Sequence, residues 1–213
     1  FENYVLMPGL VEGHSHLFEG ALWSKLYCGY FDRQKPDGTI NPGIKNVKEL
    51  VQKLKQENEN LLDPNVPLAG WGLDPIYFDD KVLDRKILDV VSDQRPIGIL
   101  HASGHKLNIN SVGLKLAGFL RTGINHEGLP LGDDGLPSGE IRGAETIALV
   151  TRHVGLGKDW LSGDAEGLRN FGKICARAGV TTAADLANLQ TDKAVEMMLK
   201  VTSEADFPAR IVS

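Results

Sequence analysis

Two histidines one residue apart, His14 and His16, are the first candidates for chemistry in this sequence. They end the stretch MPGLVEGHSH, whose apolar first half is typical of a short strand. Side chains at i and i+2 of a strand point to the same side, so both imidazoles could bind one metal ion. Neutral imidazole is a good ligand for zinc and other first-row ions. The spacing alone more often belongs to a polar strand end, so the flanking residues must decide.

A second pair, His101 and His105, lies in the stretch HASGH. Imidazoles four residues apart can bind zinc together when they share one face of a helix. Ser103 and Gly104 disfavour a helix, and the glutamate of an HExxH motif is missing. We therefore expect a loop at a strand end, in which His101, Ser103 or His105 donates hydrogen bonds to a substrate; a purely structural turn is the alternative. Ser103 also lacks the GxSxG surroundings of a hydrolase nucleophile.

Three further side chains are candidates because they follow apolar runs. Trp71 and Asp74 could hold an apolar or cationic part of a substrate, although Trp71 is equally typical of an ordinary core. Asp185 ends the run VTTAAD, where it either approaches the site or caps a helix. His126 and His153 lie in polar, glycine-containing surroundings, which predicts surface positions.

The elements that must position these side chains alternate between strand and helix. The stretches VPLAGWG and RPIGILHAS are short apolar runs bounded by Pro and Gly, which predicts two strands. VTTAAD and FPARIVS predict two more, and the apolar run from Tyr4 to Val11 predicts a strand before the first histidine pair. A loop or hairpin is expected over residues 29–43, and an extended loop with a hairpin over residues 123–143, because Gly, Pro, Asp and Asn are frequent in both.

Amphipathic periodicity predicts the helices. Asn46 and Glu49 form a capping box before apolar residues spaced i, i+3, i+4 and i+7, and LDRKILDVVS and DKAVEMMLKVTSEAD have helical spacing as well. A further helix leads directly into VTTAAD. Asp164 is its predicted N-cap, and Gly179 is the glycine predicted to end it. Its predicted apolar face consists of Leu168, Phe171, Cys175 and Ala178. This alternation predicts a parallel α/β architecture with a long insertion over roughly residues 20–160.

Composition narrows the class of ligand. The 213 residues are 42% hydrophobic and carry a net charge of −5, without a run of basic residues, so nucleic acid and an anionic membrane surface are not expected as partners. The two cysteines, Cys28 and Cys175, are far apart and lack CxxC spacing, which suits a reducing, cytoplasmic setting. No apolar run has the length of a membrane span, and the start FENYVLMPG lacks a secretory signal. We expect a small-molecule ligand.

The run Met7–His16 closely resembles the metal-binding opening of the amidohydrolase superfamily, usually a PGLVDGHxH strand, with Glu12 here in place of Asp. The resemblance implies that His14 and His16 are metal ligands at the C-terminal end of the first strand of a (β/α)8 barrel, where barrel active sites are built.

Further motifs narrow the resemblance to the amidohydrolase-3 branch, which includes the YtcJ-like proteins and N-substituted formamide deformylases. In chain order they are WGLDP (71–75), LDR (83–85), LDVVS (88–92), HASGH (101–105), NINS (108–111) and GVTT through Asp185. The resemblance covers essentially the whole chain. It identifies GVTT as the second barrel strand and ARIVS as the start of the third, so we expect the chain to be a truncated piece that lacks the later strands and their ligands.

The resemblance also implies a glutamate shortly after a PTG turn, where it serves the metal site. The turn is Pro-Ser-Gly at residues 137–139 here, and Gly143 stands at the usual glutamate position. Either Glu140 or Glu145 substitutes for it, or the carboxylate is absent; we take Glu140 as the catalytic candidate.

The resemblance therefore implies a partial (β/α)8, TIM-type, metal-dependent hydrolase barrel with a large α+β insertion after the first strand. Its predicted parts are residues 1–19 with the HxH strand, 20–160 as the inserted subdomain, and 161–213 with a barrel helix and the second to third strands. A divalent metal, zinc before iron or manganese, would activate water by lowering its pKa from about 15.7 toward roughly 7.

The implied activity is hydrolysis of a non-peptide C–N bond in a small amide or formamide, by an enzyme that could form a homodimer. The alternative is a noncatalytic binding or scaffold relative, or an inactive fragment of such an enzyme. The absence of later ligands and of the expected glutamate favours that alternative.

Overall fold

The computed structural model describes residues 3–78, 83–157, 164–186 and 191–213. Its contacts divide the chain into two compact units. Unit 1 comprises Phe1–Ser24, Gln34–Thr39 and Asp159–Ser213, and unit 2 comprises Lys25–Arg33 and Ile40–Lys158.

Strands and helices are distributed over both units, so the fold is α/β. The strands of the described residues are β1 (Leu10–Glu12), β2 (Leu26–Tyr27), β3 (Arg33–Gln34), β4 (Ile40–Asn41), β5 (Leu68–Leu73), β6 (Ile97–His101), β7 (Lys106–Ile109), β8 (Glu140–Arg142), β9 (Val180–Ala184) and β10 (Arg210–Val212). The α-helices are α1 (Glu19–Leu22), α2 (Val47–Asn60), α3 (Arg85–Asp89), α4 (Ser111–Leu116), α5 (Ala144–Val150), α6 (Ala165–Ala178) and α7 (Asp192–Thr202). Pro75–Tyr77 and Thr151–His153 are short 3-10 helices.

Unit 1 is built on a parallel sheet in the order β1-β9-β10. Helix α7 connects β9 to β10, as a parallel crossover requires. The predicted strands at VTTAAD and FPARIVS and the helix between them are thereby confirmed. The strand predicted from Tyr4 was wrong in its start: Tyr4 is 78% exposed, and the ladder begins at Leu10, whose N–H donates to the Gly179 carbonyl at 2.8 Å. Pro8, which has no N–H to donate, precedes that point.

Helix α6 forms as its capping residues predict. The Asp164 carboxylate accepts the Gly167 N–H at 2.6 Å, and Gly179 adopts the left-handed backbone, φ +72°, that ends the helix before β9. Leu168, Phe171 and Cys175 are buried, whereas Ala178 is exposed because it lies in the last turn, beyond the packed face. The predicted face was therefore wrong at its last position.

Helix α1 approaches α6 through small residues. A Cβ added at Gly20 would lie 1.9 Å from the Gly167 carbonyl oxygen, and one added at Gly167 would lie 2.7 Å from the Ala21 Cβ. Only glycine allows backbones this close, so this pair fixes the segment just after His16 against α6.

Unit 2 is built on a mixed sheet in the order β2-β5-β6-β7-β8. β2, β5 and β6 are parallel, while β7 and β8 are antiparallel to their neighbours. The strands predicted at VPLAGWG and RPIGILHAS are confirmed as β5 and β6. β7 and β8 were not predicted, although the alternation Lys106, Leu107, Asn108, Ile109 places two apolar residues on one face.

Helix α2 confirms the predicted capping box with one difference. The Asn46 side chain accepts the Glu49 N–H at 2.9 Å, but the Glu49 carboxylate accepts the N–H of Lys45 at 2.8 Å rather than that of Asn46. Leu50 and Leu54 are fully buried in the core of unit 2. No helix within residues 3–78, 83–157, 164–186 and 191–213 combines the length and apolar composition needed to cross a bilayer.

Candidate metal centre

The His14–His16 segment lies just beyond the carboxyl end of β1, which ends at Glu12. Its backbone is held beside β9, because both the N–H and the hydroxyl of Ser15 donate to the Ala184 carbonyl, at 2.8 and 2.9 Å. The Glu12 carboxylate accepts the His14 N–H at 2.9 Å. A hydrogen-bonded loop, rather than strand alternation, therefore sets the direction of the two histidines.

The two imidazoles are neighbours. Their ring centroids are 5.3 Å apart with the planes at 90°, and the His16 ring stacks on Phe18 at 5.3 Å. His14 is exposed and the His16 side chain is 35% exposed. A metal ion could therefore reach both rings from solvent without rearrangement of a packed core.

Asp185 is the third polar group at this end of the sheet. It follows β9, is 3% exposed, and its Oδ2 accepts the Leu17 N–H at 2.9 Å. Its Oδ1 lies 3.7 Å from Nδ1 of His16. Of the two roles left open by the sequence, the structure shows the approach to the histidines; α7 has Thr191 as its N-cap.

The donor set tests whether a divalent metal fits. Two imidazoles suit zinc and other first-row ions, while a catalytic zinc site usually has three protein ligands. In the parts of the chain that the structure describes, no three His, Cys, Asp or Glu side chains come together closely enough to hold a metal ion. The residues present fit in ligand type but supply only part of a site.

His101 ends β6 inside unit 2 and is 5% exposed. Its Nε2 hydrogen-bonds the Asn108 side-chain oxygen, and the Asn108 amide donates to the Leu83 carbonyl. Burial, which is the largest influence, lowers the pKa of His101, although Asn108 and Glu140 act in the opposite direction. The structure thus shows His101 in a buried hydrogen-bonded role.

Ser103 and His105 occupy the exposed turn between β6 and β7. The Ser103 hydroxyl accepts the His105 N–H at 3.3 Å, and Gly104 has φ +71°. HASGH is therefore the end of a strand plus a tight turn, and its two histidines differ sharply in exposure.

Glu140 lies on β8 and is 5% exposed. It forms ion pairs with Arg142 and, at 3.6 Å, with Lys106. Burial opposes ionisation, but Arg142 and Lys106 outweigh it, so the pKa of Glu140 lies below its usual range. Gly143, at the position where the resemblance places a glutamate, has φ +81°, a backbone that strains other residues.

Trp71 lies within β5, and Asp74 directly follows its last residue. Trp71 is 4% exposed, with the Tyr27 ring at 5.1 Å and the Arg33 guanidinium over it at 5.2 Å. Asp74 caps the following 3-10 helix and lines an open cleft of about 350 Å³, together with Tyr30 and other side chains of unit 2. Asp74 is therefore placed where a ligand could reach it, whereas Trp71 is largely covered.

Comparison with known proteins assigns the chain to a family. A family model described as Amidohydrolase family matches residues 2–213. Protein LONG AFTER FAR-RED 3 from Arabidopsis thaliana is 28% identical over 192 residues, which make up 87% of this chain and 29% of that protein.

Two solved structures share the fold. They are uncharacterized metal-dependent hydrolases from Pyrococcus horikoshii OT3 and Pyrococcus furiosus, with TM-scores of 0.57 and 0.54 and 16% identity each. Each comparison covers 96% of this chain but only 36% and 37% of those chains. The chain therefore spans about a third of the length of the relatives it matches.

Proposed function

Because the chain belongs to the amidohydrolase family, we propose that it is part of a metal-dependent hydrolase that cleaves a C–N bond other than a peptide bond, with an amide or formamide as substrate. The observation that carries this proposal is the adjacency of the His14 and His16 rings at the carboxyl end of a parallel strand. Parallel α/β enzymes gather their catalytic groups at such strand ends.

In this proposal His14 and His16 hold a divalent ion, zinc before iron or manganese. When bound, the metal would supply Lewis-acid activation of water at neutral pH. Asp185 acts on the histidines: its Oδ1 lies 3.7 Å from Nδ1 of His16, and its Oδ2 is fixed by the Leu17 N–H. A carboxylate near Nδ1 favours the tautomer that carries its proton on Nδ1, which leaves the Nε2 lone pair to ligate the metal.

The remaining site residues stay predictions. Trp71, Asp74, His101, Ser103 and His105 are proposed to take part in substrate binding. Ser103 and His105 are exposed, and the half-buried Asp74 lines an open cleft, which supports their part in it. Because His101 is buried and hydrogen-bonds Asn108, its part in binding would be indirect, through the position of the Asn108 side chain.

Glu140 stays the proposed proton carrier. Its ion pairs with Arg142 and Lys106 hold its pKa below the usual range, which keeps the carboxylate ionised at neutral pH but makes it a weak proton acceptor.

The finer fold is proposed as well. We propose that β1, β9 and β10 are consecutive strands of a TIM-type barrel in the amidohydrolase-3, YtcJ-like branch, and that residues 20–160 are an insertion after its first strand. The parallel order and the histidines at the carboxyl end of β1 support this. A cytoplasmic setting, a small amide as partner and a homodimer belong to the same proposal.

The alternative function is a noncatalytic relative that binds without hydrolysis. Two observations favour it: the described residues bring no third metal ligand to His14 and His16, and Gly143 occupies the position of the expected glutamate. Metal content separates the two functions more directly than a substrate screen does.

The first experiment is elemental analysis of the protein purified without added metal. We compare the unmodified chain, the His14→Ala/His16→Ala variant and the His126→Ala/His153→Ala variant, which removes the same number of histidines elsewhere. Near-stoichiometric metal that is lost only from the first variant supports the proposal and justifies a screen of formamides and N-acyl amines. No metal in any of the three proteins contradicts it and favours the noncatalytic alternative.

A further inference from the structure

An open cleft in unit 2 lies where three parallel strands end. It is lined by residues that follow β2, by residues that follow β5, and by Ala102, which follows β6. Loops at the carboxyl ends of parallel strands are the usual place for ligands in α/β proteins. The volume of about 350 Å³ lies within the range of roughly 300–1,000 Å³ typical of small-molecule sites.

Aromatic rings form much of the cleft. Tyr30 stacks on Tyr77 with centroids 5.1 Å apart and the planes at 24°, and Phe31 meets Tyr77 edge-on at 4.9 Å. Phe31 is 55% exposed and Tyr77 is 44% exposed. These rings therefore offer an accessible apolar surface whose own packing fixes it in place.

The carboxylates of Asp32 and Asp74 line the same cleft, and one oxygen of each accepts a backbone hydrogen bond. Oδ1 of Asp32 accepts the Gly43 N–H at 2.9 Å, and Oδ1 of Asp74 accepts the Ile76 N–H at 3.2 Å. Within the described residues, neither Oδ2 has a hydrogen-bond or ion-pair partner. The carboxylates are thus held in place by the backbone while one oxygen of each stays available.

Aromatic rings in the cleft and beside it contact cations of the chain itself. The Lys45 ammonium lies 4.4 Å from the ring centroid of Tyr30, which lines the cleft, and the Arg33 guanidinium lies 5.2 Å from that of the adjacent buried Trp71. Arg33 is the cationic side chain among the lining residues, against the two carboxylates. The lining side chains alone therefore carry one excess negative charge, which the neighbouring Lys45 ammonium offsets in part.

We propose that this cleft binds a small organic cation: a flat aromatic body packed against Tyr77 and Phe31, bearing a protonated amine that donates to Asp74 and Asp32. The aromatic surface suits the body of such a ligand, and the two available carboxylate oxygens suit its ammonium group. A neutral apolar ligand of the same shape would cover the carboxylates without satisfying them. The inference rests on the proposed function only in that Asp74 is a predicted substrate contact.

The test measures binding alone, without metal or turnover, so its failure is distinct from failure of the proposed hydrolysis. The probe is 2-phenylethylamine, titrated into the purified chain by calorimetry at neutral pH, and 2-phenylethanol is the neutral probe of matched shape. We expect saturable binding of the amine that is about tenfold tighter than that of the alcohol, the size of one charge-assisted hydrogen bond. Equal affinities for the two probes, or no binding of the amine, would overturn the proposal without any variant.

Substitution then locates the site. Asp74→Asn keeps a side-chain oxygen for the Ile76 N–H but removes the charge, so the amine should lose about tenfold in affinity. Asp63→Asn is the matched control: Asp63 accepts the N–H two residues ahead, at 2.9 Å to Asn65, and does not line the cleft. An equal loss in both variants, or no loss in Asp74→Asn, would place the amine elsewhere and refute the assignment.

Discussion

The three-stranded sheet of unit 1 and the five-stranded sheet of unit 2 both contain apolar strands but differ in how far those strands are covered. Every residue of β5 and β6 in unit 2 is buried, whereas every residue of β1 in unit 1 is exposed. In unit 2, α2 packs on β5 and α4 on β6. The comparison shows that an apolar run specifies a strand, while its burial depends on which elements cover it.

The chemistry-bearing residues follow the same division. His14 and His16 lie beyond the end of a strand and are accessible, while His101 and Glu140 lie within strands and pair with Asn108 and Lys106 of the neighbouring strand β7. Polar groups inside a sheet need partners because an unpaired buried group is costly. Accessible imidazoles without that role are better placed to bind a ligand.

The largest expected difference between the two sheets concerns matched leucines. Leu100 on β6 is 1% exposed and Leu10 on β1 is 49% exposed. Leu100→Ala should lower the free energy of unfolding by about 2–5 kcal/mol, because it leaves a cavity in a packed core. Leu10→Ala should cost less than about 1 kcal/mol, since the side chain already faces water. Urea denaturation followed by circular dichroism measures both, and equal costs would refute the comparison.

Unit 1 has its own tightly packed point, where α1 meets α6. Gly20→Ala adds a methyl group 1.9 Å from the Gly167 carbonyl oxygen, so we expect a loss of about 1–3 kcal/mol in unfolding free energy from the forced separation of the helices. Gly13→Ala is the control, because a Cβ there has nothing within 4 Å. Thermal denaturation of both variants measures the loss of stability. If Gly13→Ala is destabilised as much as Gly20→Ala, the loss of backbone flexibility at glycine, and not the contact between the helices, is responsible.

Asp185 is the buried carboxylate beside the accessible His16. Asp185→Asn keeps an acceptor for the Leu17 N–H but removes the charge near His16, so metal affinity should fall about tenfold or more. Competition with a chelator measures the affinity, and Asp206→Asn, at an exposed position of unit 1, is the control. Unchanged affinity in Asp185→Asn would mean that the carboxylate serves only the backbone.

The sequence predicted the strands β5, β6, β9 and β10 and the longer helices because their signals are local. Asp164 and Gly179 enclose α6, and Asn46 begins α2, each through a hydrogen bond or backbone conformation that the residue type favours. β7 and β8 were missed because their polar residues are compensated across strands, which single-sequence periodicity does not show. Lys106 and Glu140 resemble loop residues until the sheet pairs them.

In the candidate site, too, the features with a local sequence signal were predicted, and those that depend on contacts between distant residues were not. The loop that carries His14 and His16 was located from its sequence pattern. The approach of Asp185 to His16 could not be chosen over helix capping, because the two residues are far apart in the chain and only the β1–β9 pairing brings them together. The aromatic cleft had no local signal, since its rings come from the segments after β2 and β5.

The smallest expected effect is a pH dependence in unit 2. Glu140 has a pKa below its usual value of 4.5 in the folded state, so the folded protein holds the charged form more strongly than the unfolded chain does. Its stabilisation is therefore complete above about pH 5 and is lost as the pH falls through the folded pKa. Glu140→Gln should cost about 1 kcal/mol at pH 7, since Arg142 and Lys106 are exposed enough to be solvated by water.

That cost should shrink as the pH falls below about 4.5, because the unmodified protein then loses the same charge. Urea denaturation at several pH values measures it, with Glu127→Gln, at an exposed position in a turn, as the control. If Glu140→Gln lowers the free energy of unfolding equally from pH 7 to pH 3, Glu140 stabilises the fold through its shape and not through its charge. A cost that shrinks as expected assigns Glu140 a structural ion pair, and its role as a proton carrier would then need activity data of its own.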